Sequence, residues 1–146
     1  MYATILVPLD GSVRAEKILP HVEQMALSFG SRVILLRVVE PIVTVSSADV
    51  FVPATDSFSA KLEQAQVYLN DLKKKLQEKR IDAEPRVTGS TIVDAICETA
   101  EHEKVDLIAM ASHGRTGAAR VFYGSVAAGV LHRVDRPLLI IRSRED

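Results

Sequence analysis

Short apolar runs alternate along the chain with longer stretches in which apolar residues recur every three or four positions, as expected of βαβ units around a parallel sheet. The first run, Thr4-Ile5-Leu6-Val7-Pro8, is apolar at successive positions, as a strand buried on both faces should be. Asp10-Gly11-Ser12 behind it is turn and cap chemistry, and Ile18, Val22, Met25, Ala26 and Phe29 then fall on one helical face. Pro20 is expected to kink that helix or leave its first turns irregular, and Gly30 to stop it. Val33–Val38 reads as the second strand. Pro41 to Phe58 shows no clear period; a connection this long is read equally as a surface excursion or as a segment covering a ligand or touching a subunit.

A long helix follows, with Leu62, Ala65, Leu69, Leu72 and Leu76 on one stripe. Lys73, Lys74, Lys75, Glu78, Lys79 and Arg80 lie on its other faces, which suits a solvated helix end better than a nucleic-acid patch, since cations are favoured near a helix C-terminus. Ala83–Val87 is a weak strand whose Pro85 suits a sheet edge. Thr88-Gly89-Ser90 turns into a helix bearing Ile92, Val93, Ile96, Cys97 and Ala100, where Cys97 reads as an inert packing thiol. Val105–Ala111 is the fourth strand, Val126, Val130, Leu131 and Val134 mark the last helix, and Pro137–Ile141 is the closing strand. The expected architecture is a single α/β domain over residues 1–146: an open, Rossmann-like sheet of five parallel strands, with four helices distributed over both faces.

Composition narrows the function classes. Lys and Arg number 18 against 19 Asp and Glu, a net charge of −1, which offers no broad cationic surface for nucleic acid or an anionic membrane. With 47% hydrophobic and 25% charged residues the chain has the make-up of a soluble globular domain. One cysteine excludes an intramolecular disulfide and any Cys-rich metal site. The first residues lack the features of a signal peptide, and no apolar run nears the roughly 20 residues that span a bilayer. A reduced, cytoplasmic setting is therefore expected.

In open parallel sheets, ligands bind beyond the carboxyl ends of the strands, where strand order reverses. Those ends present Pro8-Leu9-Asp10, Val38-Val39, Thr88-Gly89 and Met110-Ala111-Ser112-His113-Gly114. The last continues through Arg115 and Gly117 to Gly124-Ser125, which opens a helix. Glycines expose amide N–H groups to an approaching anion, and a helix start adds unpaired N–H groups and a positive dipole end, so the segment reads as a phosphate cradle. Ser125 adds a hydroxyl, and Arg115 and His113 offer positive charge. No glycine is followed by lysine, no Gly-x-Gly-x-x-Gly follows the first strand, and no Gly-x-Ser-x-Gly elbow is present. Asp10, Ser112 and His113 supply the residue types of a hydrolase triad, but adjacent Ser and His seldom form its hydrogen bond. His21, His102, His113 and His132 lack a zinc-ligand spacing, and the acidic pair of a phospho-receiver is missing after the first strand.

Over nearly its whole length the sequence resembles the universal stress protein family. The resemblance lies in Ile5-Leu6-Val7-Pro8-Leu9-Asp10-Gly11-Ser12, Val33–Val38, Val105–Gly114, and Gly124-Ser125 through Arg136-Pro137-Leu138-Leu139-Ile140-Ile141. Members that bind ATP carry Gly-x2-Gly-x9-Gly-Ser/Thr; here Gly114, nine residues and Gly124-Ser125 match, while Ala111 replaces the first glycine. An alanine fits there if its φ is negative; at positive φ it costs roughly 1 kcal/mol or more.

The resemblance implies an adenine-nucleotide alpha-hydrolase-like fold that binds ATP, with Mg or Mn as the accompanying divalent metal. It places Asp10 and Val38 at the adenine end, Pro8, Leu9, Met110 and Ala111 along adenine and ribose, and Gly89 near the mouth. Gly114, Gly124, Ser125 and Val126 would hold the phosphates, while His113, Arg115 and Arg120 stay outside the site. It also implies a homodimer formed through the last strand, Leu138 to Arg142, and pairing would remove an apolar sheet edge prone to aggregation. The leading expectation is a dimeric, ATP-binding stress-response regulator rather than an enzyme, with slow ATP hydrolysis at most. Two alternatives stand beside it: a dimeric interaction scaffold of the same fold that binds no nucleotide, and an ATP-consuming transferase.

Overall fold

The computed structural model describes residues 1–41, 54–113 and 124–143. Its elements are β1 (Thr4–Leu9), α1 (Val13–Glu16), α2 (Leu19–Phe29), β2 (Arg32–Val39), α3 (Ala54–Glu78), β3 (Asp82–Gly89), α4 (Ile92–His102), β4 (Leu107–His113), α5 (Ser125–Arg133) and β5 (Leu138–Ser143). The strands form one parallel sheet in the order β3-β2-β1-β4-β5. The two-residue period of a strand sorts β1 between two cores. Ile5, Val7 and Leu9 pack with Ile18, Leu19, Val22, Leu69, Leu72 and Leu76 from the α2 and α3 side. Leu6 packs with Ile34, Leu36, Ile96 and Val130 on the side of α4 and α5.

The expected helix after β1 is divided in two. Ser12 caps the short α1, its Oγ accepting the Ala15 N–H at 3.1 Å. The chain restarts at Leu19 with Pro20 in the first turn of α2, where a missing N–H leaves no intrahelical bond unmade, so no kink results. Gly30 ends α2 in the left-handed conformation, as expected. Two residues assigned to apolar faces face out instead. Phe29 is 46% exposed and stacks edge-on to Tyr2, and Leu131 is 52% exposed on α5. α3 starts at Ala54, so the end of the aperiodic 41–58 stretch is helical. β3 is an outer strand, the place Pro85 tolerates.

β4 begins at Leu107 rather than Val105, because the Val105 N–H is spent on the Ala100 carbonyl at the end of α4. At the other end, backbone pairing carries β4 and β5 together to His113↔Ser143, beyond their apolar runs.

An alternating ring of charge ties β2, β3 and the end of α4 together. Arg32 pairs with Glu84 (3.4 Å) and Glu103 (3.2 Å), and Arg86 with the same two carboxylates (2.6 and 2.8 Å). The hydrogen bond from Arg86 is the main reason both carboxyl groups are held below the ordinary glutamate range. A depressed folded-state pKa contributes stability that is present above the unfolded value, about 4.3, and lost as pH falls through the folded one. Glu103→Gln should therefore lower stability at pH 7 by about 1–2 kcal/mol and flatten the acid limb of the stability curve, measured by urea unfolding at a series of pH values.

Candidate functional site

The connections leaving β1 and β2 cross one face of the sheet, and those leaving β3 and β4 cross the other. The chain thus departs in opposite directions from β1 and β4, which are neighbours. A crevice is left over their carboxyl ends, the position at which doubly wound sheets take ligands. A cavity of about 110 Å³ occupies it, walled by residues of β1, β2 and β4 and by the starts of α4 and α5.

Eight residues expected from the sequence meet there: Pro8, Leu9, Asp10, Val38, Met110, Ala111, Gly124 and Val126. The β1 end is fixed by an Asx turn, in which Asp10 Oδ1 accepts the Ser12 N–H at 2.9 Å. Ala111 is paired within β4 to Ile141, and among the described non-glycine residues only Arg80 and Lys104 have positive φ. The alanine that replaces the motif glycine therefore sits in ordinary strand geometry, with no backbone strain to resolve.

Two expected residues stand elsewhere, and a third cannot be placed. Gly114 lies outside the described residues. Ser125 is exposed as the first residue of α5 and does not line the cavity. Gly89, at the end of β3, faces the ring of Phe58, where a Cβ would collide with Cζ. It is a close-packed position and is not among the residues lining this cavity.

The structure adds Ala15, Arg37, Ile92, Ser112 and Ala127 to the lining. Ser112 was visible as part of a polar loop and Ile92 as a helix-face residue, while Ala127 carried no signal of its own. Nothing in their spacing showed that those faces turn toward the crevice. Arg37 interrupts an otherwise apolar strand run, a signal that could have been followed.

The two helix starts at the crevice differ electrostatically. The first amide of α4, at Ile92, donates to the Glu40 carboxylate at 3.3 Å, and Thr91 Oγ1 is bonded to Asp94 at 2.7 Å. α5 begins after Gly124, which has no side chain to cap it, and no cap is present among the described residues. The amides of Ser125, Val126 and Ala127 precede the first intrahelical bond, which runs from the Ala128 N–H to the Gly124 carbonyl at 3.0 Å. Gly124 adopts φ 84° and ψ 151°, a region open essentially to glycine alone, and so turns the chain into the helix over the cavity. The site therefore joins an apolar slot, hydrogen-bonding groups at β1 and β2, and a positive helix end.

On the far side of Arg37, burial and the neighbouring Glu16 carboxylate raise the Tyr68 phenol pKa well above its ordinary value, keeping the ring neutral. Burial likewise raises the Cys97 thiol, in keeping with a packing role. Among the described residues no group of His, Cys, Asp and Glu is arranged to hold a metal ion, and no helix is long and apolar enough to cross a membrane.

Comparison with known proteins places this geometry among relatives. The family model described as the universal stress protein family matches residues 1–142. Universal stress protein MJ0577 of Methanocaldococcus jannaschii is 28% identical, with 99% of this chain and 97% of that protein aligned. The MJ0577 structure superposes with a TM-score of 0.84 over 100% of this chain and 99% of its own. A universal stress protein in complex with cAMP shares the fold at TM-score 0.72 and 23% identity, with 98% of each chain covered. So does one from Archaeoglobus fulgidus in complex with dAMP, at 0.65 and 19%, covering 96% of this chain and 98% of that one.

The glycine at the mouth of α5 offers a direct check on the geometry. Gly124→Ala should cost about 1–3 kcal/mol of stability in denaturant unfolding, because the added Cβ must be carried at positive φ or the helix start must shift. An unchanged unfolding midpoint would contradict this conformation.

Proposed function

This chain belongs to the universal stress protein family, and we propose that it is a regulatory protein whose crevice takes an adenine nucleotide, ATP above all. The observation that carries the reading is the course of the cavity from β2, over β1, to β4 and the uncapped start of α5. Adjacent strands lie about 4.8 Å apart, so three strands span about 10 Å, enough for a base at one end and a first phosphate at the other. Pro8, Leu9, Val38 and Met110 give the base apolar walls, and Asp10 supplies an acceptor for an amine. The α5 amides face the phosphates, where the helix dipole favours negative charge. α4 does not compete for them, because Glu40 already occupies its start. That related folds are found with cAMP and dAMP supports placing the same ligand class here.

A Mg or Mn ion would travel with the phosphates in this reading, since its ligands would be phosphate oxygens and water. Asp10, the carboxylate in the cavity wall, belongs to the base end in this arrangement and so is remote from the position of an attacking water. The protein is accordingly a binder that changes its partner contacts, with ATP turnover slow at most, and its lone thiol suits the cytoplasm. Dimerisation through β5 completes the proposal. Leu138, Leu139, Ile140 and Ile141 remain only half-buried on this outer strand, and a second copy would cover them.

Calorimetry on nucleotide-free protein should show saturable binding of ATP with magnesium, weakened about tenfold or more by Asp10→Ala. Absence of heat at millimolar ATP would remove the nucleotide reading and leave the interaction scaffold. For the assembly, sedimentation equilibrium should give twice the monomer mass for the native chain and a shift toward monomer for Ile140→Glu. A native monomer at high protein concentration would refute pairing through β5.

A further inference from the structure

We propose that Gly129 is a positioning residue for the phosphate end of the crevice, an inference that rests on the nucleotide reading above. Glycine is a poor helix former, yet Gly129 stands in the middle of α5, a helix of nine residues. Its neighbour explains the choice. Val93 of α4 packs against it so closely that a Cβ on Gly129 would lie 2.9 Å from Val93 Cγ2 and 3.4 Å from Cγ1. Carbon atoms in contact rest about 3.5–4.0 Å apart, so a side chain there would force the two helices apart by about half an ångström or more. Val93 cannot swing clear, because a β-branched residue in a helix is held to one main χ1 rotamer and both of its methyl groups already face this point. The missing side chain thus lets α5 settle closer to α4 than any other residue would allow.

That closeness matters at the start of α5. Gly129 does not line the crevice; Gly124, Val126 and Ala127, about one turn earlier, do. α4 is itself fixed: Ile92 lines the same crevice, its amide is held by Glu40 at 3.3 Å, and Ile96 and Ala100 are buried in the core beneath. The far end of α5 is tied to the same helix, since Arg133 pairs with Asp94, whose other oxygen accepts the Thr91 hydroxyl at 2.7 Å. Ala127 and Val130 settle α5 on the core, and its distance from α4 is set at Gly129 and at Arg133. The amides of Ser125, Val126 and Ala127 are carried over the crevice as a rigid extension of that seat. N–H···O bonds are made over a narrow range, about 2.7–3.2 Å, so a shift of this size in the helix is enough to spoil several of them at once. Gly129 acts on the phosphates without touching them, and leaves the base end of the crevice, built from β1 and β2, as it is.

The test compares ATP, with magnesium, against adenosine, which lacks the phosphates. Calorimetry on the native chain should show ATP bound about tenfold or more tightly than adenosine. Gly129→Ala should weaken ATP by about tenfold and change adenosine by less than about threefold, although alanine is the better helix former and thermal unfolding should report a folded chain. Val93→Ala placed in that background removes the obstructing methyl groups and should return ATP affinity to within about threefold of native. Should Gly129→Ala fail to fold, Val93→Ile, which enlarges the same contact from α4, takes its place and should lower the ATP preference in the same direction. Equal affinities for ATP and adenosine in the native chain, an unchanged ratio in a folded Gly129→Ala chain, or a lowered ratio that Val93→Ala does not restore would overturn the role of Gly129 while leaving a nucleoside-binding crevice in place. Binding of neither ATP nor adenosine to the native chain would remove the nucleotide reading, and this role with it.

Discussion

β1 and β4 are neighbours in the sheet, yet the chain leaves them toward opposite faces. This divergence is forced by the strand order β3-β2-β1-β4-β5 and by helices that cross over between parallel strands. The backbone cannot close over both strand ends at once. A gap must remain, and it can be lined only by the residues at those ends and by the helix starts that follow. Pro8, Leu9, Met110 and Ala111 become walls through their place in the topology rather than through any property of their own. The two buried layers, Ile5 and Val7 against α2 and α3, and Leu6 against α4 and α5, hold that gap open.

What the gap can do is set by the polar groups at its two ends. The first amides of a helix have no intrahelical partner and are met by a side chain, by water or by a bound anion. The start of α4 has acquired Glu40, whereas α5 begins at Gly124, which has no side chain of its own to cap it. At the opposite end Asp10, exposed and accepting the Ser12 N–H, and Arg37, donating to the Val38 carbonyl, stand at strand ends beside apolar side chains. A molecule that is flat and apolar through its middle, hydrogen-bonding at one edge and anionic at the other end satisfies all of these demands together. That pattern of demands, more than overall fold, is the reason to propose a nucleotide for this chain.

The sheet was legible in the sequence because parallel strands buried on both faces produce unbroken apolar runs, such as Ile5-Leu6-Val7 and Val33–Leu36, that few other structures require. Pro85 marked its own outer strand for the same reason, since a residue without an N–H is tolerated only where pairing is one-sided. Helix faces were read less well. The spacing of Phe29 and Leu131 fits a buried stripe, but the core ends before it reaches them, and spacing alone does not say how wide a stripe is covered. Pro20 signalled a break without revealing that Ser12 would build a separate turn ahead of it. Within the site, glycine chemistry and resemblance located Gly124, Asp10 and Val38. Arg37 was marked only as a polar interruption of an apolar run, and its place at the crevice depends on where β1 stops pairing with β2. A glycine at a strand end serves a ligand or a neighbouring ring equally well, and beside Gly89 the ring of Phe58 takes the space.

The most direct measurement is an amide-resolved NMR titration of the native chain with ATP and magnesium. The account predicts that resonance changes concentrate at the two ends of the crevice, on the amides of Ser125, Val126 and Ala127 and on those of Asp10, Arg37 and Val38. Saturable binding that leaves the α5 amides unmoved, or no binding at all, would contradict it.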